Sequence, residues 1–325
     1  MIRKLIGIFF TVISLFPLLV QAQEKVTLRL DWVNSGYHAI WYYAVDQGIF
    51  KNEGIDLEVL EGRGSAVTAQ TVGNGSVMFG TADAGSVMGL VSQGLSVKIV
   101  GGYLRQSPMA LIFPKKKNWN SFADMGKDNP RIGFSPGGAS ALLLPAVLKA
   151  ANIEEKVQLI NMEPSAKPTA LLAGKVDAIE SFDFLQVPLL EANGMPAATL
   201  PYAKAGVNVP GLALITSVDM IQKNPALVRK MVALMQKTIE AGRKNPEAAI
   251  DSLMKRTPTL KRDVVLQVLK LSFNLLETDA TKGKPLAWLP LDAIAKSQDI
   301  LIQYGSIKNR LPPDSYFTNE FVPGT

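Results

Sequence analysis

The stretch 55–101, IDLEVLEGRGSAVTAQTVGNGSVMFGTADAGSVMGLVSQGLSVKIVG, decides the fold class. Ile55 to Leu60 alternates apolar and acidic residues, the period of a half-buried strand. Ala66 to Val72 has helical spacing and stops at Gly73-Asn74-Gly75. Val77 to Thr81 reads as a short buried strand. Asp83 stands where a helix N-cap belongs, the helix runs to Gln93, and Gly94 ends it. Val97 to Gly101 is the next strand. Alternation this dense predicts a mostly parallel sheet covered by helices.

The same rhythm extends in both directions. Upstream, Val26 to Trp32 is a strand and Gly36 to Gln47 a helix closed by Gly48. Downstream, Met109 to Phe113 is a strand and the pattern restarts. Arg131 to Phe134 is a strand, Pro136-Gly137-Gly138 a turn, and Ala139 to Ala151 a helix. Val157 to Asn161 and Asp177 to Glu180 are strands; Lys167 to Ala173 and Asp183 to Ala192 are helices. After a strand over Gly211 to Ser217 the texture becomes helical: Pro225 to Lys244, Pro246 to Lys255, Lys261 to Leu276 and Leu291 to Tyr304. Asn224-Pro225 and Asn245-Pro246 are start signals. The expected fold is α/β, with two doubly wound lobes, a hinge and a helical C-terminal tail. Lobe one takes 23–108 and 210–325, lobe two takes 109–209, and the hinge lies near Pro108 and Pro210. Open α/β sheets bind ligands beyond the carboxyl ends of their strands, so the cleft between the lobes is the expected site.

Residues 1–22 read as a signal peptide. Arg3 and Lys4 precede an apolar run from Leu5 to Val20, and Val20-Gln21-Ala22 places the cut before Gln23. Pro17 interrupts the run, which is shorter than the ~20 residues a membrane span needs. The chain has no cysteine, hence no disulfide, no thiolate nucleophile and no attachment point for a lipid anchor. These features predict a free periplasmic protein. Without Arg3 and Lys4, 32 basic residues face 28 acidic ones. That mild excess, with no basic tract carrying interleaved aromatics, argues against nucleic acid; Lys115-Lys116-Lys117 reads as a solvated loop edge. His38 is the only histidine and has no cluster of metal-binding neighbours, so no metal and no cofactor is expected. Gly133-Phe134-Ser135-Pro136-Gly137 has the Gly-x-Ser-x-Gly spelling, but a Ser-His-Asp triad would have to use the one histidine, His38, so an exported hydrolase is not expected.

Several segments carry a likeness in order and spacing: Leu30-Asp31-Trp32, Tyr37-His38, the run from Gly48 to Val59, Phe79-Gly80-Thr81-Ala82-Asp83, the run from Ile132 to Ser140, and Gly174-Lys175-Val176-Asp177-Ala178. Through them the chain resembles the NMT1/THI5-like substrate-binding proteins, a group that includes binders of sulfonates, taurine and nitrate. The resemblance spans essentially the whole mature chain. It implies a periplasmic binding fold of the second type, a small-molecule ligand, and a partner in the inner-membrane permease of an ABC importer. A monomer is expected. One branch of that group is a fungal pyrimidine synthase, which consumes one of its own histidines and uses a cysteine-rich segment. A cysteine-free chain with a signal peptide fits the importer branch, which is not enzymatic.

The candidate ligand contacts cluster at strand ends. Trp32 and Tyr37 offer flat aromatic contact area, with Asn34 in the loop between them; Asp31 is assigned to orienting that loop. His38 is either a buried hydrogen-bonded residue or a cleft-wall contact. Trp41, Tyr42 and Tyr43 are assigned to covering the sheet. Thr81, Ala82 and Asp83 end a strand, and Asp83 is either a helix cap or a contact. Ser135, Gly137, Gly138, Ala139 and Ser140 join a strand to a helix start, where open N–H groups hold an acceptor unless the turn is only structural. Glu180, Asp183 and Phe184 flank the next strand end, with Glu180 facing the cleft as an acceptor and Asp183 either a cap or a contact. Donors at the turn and a carboxylate opposite predict a heteroaromatic ligand, such as a thiamine pyrimidine precursor. A small oxyanion is the alternative.

Overall fold

The computed structural model describes residues 23–136, 139–305 and 307–324; the expected leader over 1–22 and the turn glycines Gly137 and Gly138 lie outside them. The first module comprises β1 (Glu24–Arg29), α1 (Ala39–Asp46), β2 (Ile55–Leu60), α2 (Ser65–Gly73), β3 (Phe79–Asp83), α3 (Ala84–Ser92) and β4 (Val97–Gly102). The second comprises β5 (Met109–Pro114), α4 (Phe122–Lys127), β6 (Arg131–Phe134), α5 (Ala139–Ala150), β7 (Gln158–Asn161), α6 (Ala166–Leu172), β8 (Ala178–Phe182), α7 (Asp183–Glu191) and β9 (Ala197–Pro201). Then come β10 (Leu212–Ser217), α8 (Val218–Lys223), α9 (Pro225–Lys244), α10 (Pro246–Met254), α11 (Arg262–Ser272) and α12 (Leu291–Gln303). Two five-stranded sheets form, in the orders β2-β1-β3-β10-β4 and β7-β6-β8-β5-β9. The C-terminal helices pack back onto the first module, with α1 lying against α9 and α10. Among the described residues no helix is long and apolar enough to cross a membrane.

Both sheets are mixed: four strands of each run one way, as the expected mostly parallel sheet requires, and one strand runs against them. β10 runs antiparallel to β3 and β4, and β5 runs antiparallel to β8 and β9. The cause lies in the two crossings. The chain leaves β4 at its carboxyl end and passes through the short segment 103–108 to the neighbouring sheet. It enters there on the side where β6 and β8 end, so β5 must run against them. The return before β10 repeats the geometry. Tyr103 and Leu104 donate their N–H groups to the Leu212 carbonyl (2.8 and 2.9 Å). A Cβ on Gly211 would sit 2.7 Å from the Gln106 carbonyl oxygen and 2.8 Å from that of Leu104, so only glycine lets the two crossings touch.

Strand ends also moved. β1 stops at Arg29, which leaves Leu30-Asp31-Trp32 as the loop above it, and β8 continues to Phe182, which puts Glu180 in mid-strand. The sequence reading did not find β9, α4 or α8. The main core wraps the first sheet and one face of the second. Within it the fully buried Trp41 packs on Phe50 and Tyr103, at 6.4 and 6.3 Å between ring centroids. A smaller core of Ala110, Ile112, Leu171, Val176, Ile179 and Leu190 lies on the other face of the second sheet. β5 is buried along its whole length, which explains its uninterrupted apolar run.

Candidate ligand pocket

On the first sheet, everything turns on Asp31. Its carboxylate is almost wholly buried and accepts three hydrogen bonds. Tyr37 Oη–H donates to Oδ2 at 2.8 Å, while Thr81 Oγ1–H (2.9 Å) and His38 Nε2–H (3.1 Å) donate to Oδ1. The His38 tautomer follows from its other nitrogen. Ser35 N–H donates to Nδ1 at 3.2 Å, so the ring proton sits on Nε2 and His38 is neutral. The Asp31 N–H donates back to Thr81 Oγ1 at 2.9 Å, which locks the loop to the end of β3. Burial, with the Asp31 charge adding to it, pushes the Tyr37 phenol well above its ordinary range. Tyr37 therefore stays a donor, and Asp31 has about one of its four acceptor positions left, on Oδ2.

Asp83, at the end of β3, caps α3: its Oδ1 accepts from Ser86 N–H (2.8 Å) and Ser86 Oγ–H (3.2 Å). Its own N–H donates to Ser65 Oγ at 3.0 Å. Oδ2 is buried without a hydrogen-bond partner, and burial pushes the carboxyl up to about 7.

On the second sheet, the Glu180 carboxylate is fully buried and already engaged. Ser135 N–H donates to Oε1 at 2.9 Å, Lys167 Nζ donates to the same oxygen at 2.7 Å, and the Ser140 hydroxyl donates to Oε2. Lys167 also donates to the Glu180 carbonyl at 2.9 Å. The Tyr202 hydroxyl donates to the Ser140 carbonyl at 3.1 Å, bracing the start of α5. The expectation of Glu180 at a strand end, with its carboxylate open to the cleft, is corrected. The turn donors and the carboxylate face each other because β6 and β8 are adjacent, a pairing invisible along the chain.

Between the two sheets lies a pocket of about 370 Å³, its open mouth included. Asp31, Trp32, Tyr37 and Ser65 line it from the first sheet. Ala139, Ser140, Lys167, Ser181, Phe182 and Leu185 line it from the second. Contacts bridge the walls beside it: the Tyr37 ring meets Phe184 edge-on at 5.4 Å, and α3 packs against α5.

Of the residues expected at the site, Trp32, Tyr37, Ala139 and Ser140 line this pocket. His38, Thr81, Asp83, Ser135, Glu180 and Phe184 stand behind the lining and hold it, and Ala82 is wholly buried in β3. Asn34 turns elsewhere, accepting from Tyr42 Oη–H at 2.5 Å and donating its N–H to Glu61 at 2.6 Å. Asp183 is the first residue of α7, with its Oδ1 2.6 Å from the Phe184 N–H, so it serves the helix start. The sequence reading missed Ser65, Lys167, Ser181, Phe182 and Leu185, and gave Asp31 only an orienting role. Asp31 had a signal, a lone carboxylate between a strand and an aromatic pair. Lys167 had none, because in sequence it is one more lysine on a short helix.

A family model described as NMT1/THI5 like matches residues 35–249. A putative thiamine biosynthesis protein of Haemophilus influenzae is 28% identical over 180 residues, 54% of this chain and 56% of that protein. Riboflavin-binding protein RibY of Chloroflexus aurantiacus is 26% identical over 314 residues, 93% of this chain and 87% of that protein. Among solved structures, the alkanesulfonate-binding protein SsuA of Xanthomonas axonopodis pv. citri, bound to MOPS, superposes with a TM-score of 0.66. It covers 91% of this chain and 98% of its own, at 16% identity, a likeness of fold alone.

Proposed function

The chain belongs to the NMT1/THI5-like family, and on that premise we propose that it is the periplasmic solute-binding protein of an ABC importer, specific for a flat, amine-bearing heteroaromatic molecule such as a thiamine pyrimidine precursor. The observation that carries this reading is the pocket itself. Aromatic residues Trp32, Tyr37 and Phe182 frame it, and the Asp31 carboxylate lies between them with one acceptor position left. A ring stacks on the aromatic faces, and an amino group donates to Asp31. His38 is neutral, and the Lys167 and Glu180 charges cancel. The pocket therefore carries the net negative charge of Asp31, which favours an amine and opposes an oxyanion. The riboflavin-binding relative and the thiamine-biosynthesis relative support an aromatic ligand.

Residues 23–108 and 210–325 form one lobe and 109–209 the other, and the segments meeting at Gly211 are the hinge on which they close. The protein works as a monomer, reaches the periplasm through its leader, and hands its ligand to the permease without chemistry. Calorimetry and thermal unfolding with 4-amino-5-hydroxymethyl-2-methylpyrimidine and with ethanesulfonate test the ligand class. At a hundredfold excess over Kd, the true ligand raises stability by about 2.7 kcal/mol. A response to ethanesulfonate and none to the pyrimidine reverses the assignment.

A further inference from the structure

A strand-to-helix turn with open N–H groups, a hydroxyl at the first helical turn and a buried ammonium beside it are together the parts of an anion cradle. This protein has all three, in Ser135 N–H, Ser140 Oγ–H and Lys167 Nζ, and all three donate to one carboxylate, that of Glu180. Glu180 is fully buried, and Lys167 is 4% exposed and lines the pocket. We infer that Glu180 is an internal anion that occupies this cradle in place of a ligand's anionic group. The inference rests on the proposed pocket and decides which member of the ligand class it takes.

The physical argument is one of charge. Lys167 has three N–H donors, and two of them go to the Glu180 carboxylate and carbonyl. The third, with the Ser181 hydroxyl, which makes no hydrogen bond among the described residues, is left for a neutral acceptor such as a hydroxyl, an amide carbonyl or a ring nitrogen. A phosphate or sulfonate at the same place finds its counter-charge already neutralised and meets two carboxylates, Glu180 and Asp31. A buried charge without a partner is far costlier than a neutral acceptor with one. The protein therefore selects the uncharged form of a heterocycle over its phosphorylated or sulfonated form.

The test compares 4-amino-5-hydroxymethyl-2-methylpyrimidine with its phosphate ester, which share one ring, and adds ethanesulfonate as a simple anion. Calorimetry on the wild type should show the alcohol binding at least tenfold tighter than the ester. In Glu180→Gln that ratio should fall at least tenfold, and ethanesulfonate binding should appear. Adding Lys167→Met to that variant should abolish the gain. Glu180→Gln frees a buried ammonium and so risks unfolding; its melting temperature in 100 mM ethanesulfonate against 100 mM chloride is then the readout, with a rise specific to the sulfonate expected. Equal affinity of the wild type for alcohol and ester overturns the inference and leaves the proposed function standing. A folded Glu180→Gln that gains no anion binding also overturns it. Should the wild type take neither pyrimidine, the proposed function falls, while the ethanesulfonate arm still decides whether Glu180 fills the cradle.

Discussion

Asp83 should make this protein markedly less stable at pH 8 than at pH 5, and Asp83→Asn should remove that dependence. The carboxyl is fully enclosed, with Oδ1 held by Ser86 and Oδ2 without a partner. Burial, with the nearby Asp31 charge contributing in the same direction, raises it from 3.8 to about 7. The folded state thus binds the proton more tightly than the unfolded chain. Below about pH 4 both states are protonated and the group contributes nothing. Between about 4 and 7 stability falls as pH rises, and above 7 the loss levels off. Linkage between these two values puts the change from pH 5 to pH 8 at roughly 2–3 kcal/mol. For a chain of this size that is on the order of 5 °C in melting temperature. Asn keeps the acceptor for Ser86 and cannot ionise. Its amide leaves a donor unpaired where the acid leaves Oδ2 unpaired, a cost that is the same at every pH. Thermal unfolding of both proteins at pH 5 and pH 8 isolates the effect as a difference of differences. If wild type and Asp83→Asn lose the same stability between the two pH values, the Asp83 carboxyl is not held up by burial and this reasoning is wrong.

Two further outcomes follow from the geometry. Trp32→Ala should weaken pyrimidine binding by roughly 1–3 kcal/mol, the worth of one stacked aromatic face, with little change in unfolding temperature because Trp32 is only half-buried; unaltered affinity by calorimetry removes it from the ligand wall. Gly36→Ala should destabilise by about 1–3 kcal/mol, since its Cβ would lie 1.9 Å from the Val265 carbonyl of α11. It should also weaken ligand binding, by displacing Tyr37 next door, and a denaturant midpoint equal to wild type contradicts it.

Much of the fold was legible along the chain because its signals are local. β2, β6 and α9 lie where period and punctuation put them, and Asp83 caps its helix as its position predicted. Asn224 likewise caps α9, accepting from Leu227 N–H at 3.1 Å. Residue type, spacing and flanking turn residues suffice where the partner is three or four residues away. The family likeness and the two-module rhythm belong to the same kind of information. The direction of β5 and β10 does not, because it depends on which side of the second sheet the chain enters after crossing.

The site divides along the same line. Sequence marked Trp32, Tyr37 and the turn before α5, because aromatic pairs and small residues at strand ends are visible one segment at a time. It left open whether His38, Asp83, Glu180 and Asp183 touch ligand, and had the Glu180 carboxylate face the cleft. Only the tertiary structure shows what holds Asp31 and Glu180, because their partners lie far away in sequence. Asp31 is held by Thr81, fifty positions on, and Glu180 is neutralised by Lys167 and by the backbone of Ser135, forty-five positions back. A carboxylate's chemistry is set by the charges and donors within a few ångströms, and those neighbours exist only once the strands are side by side.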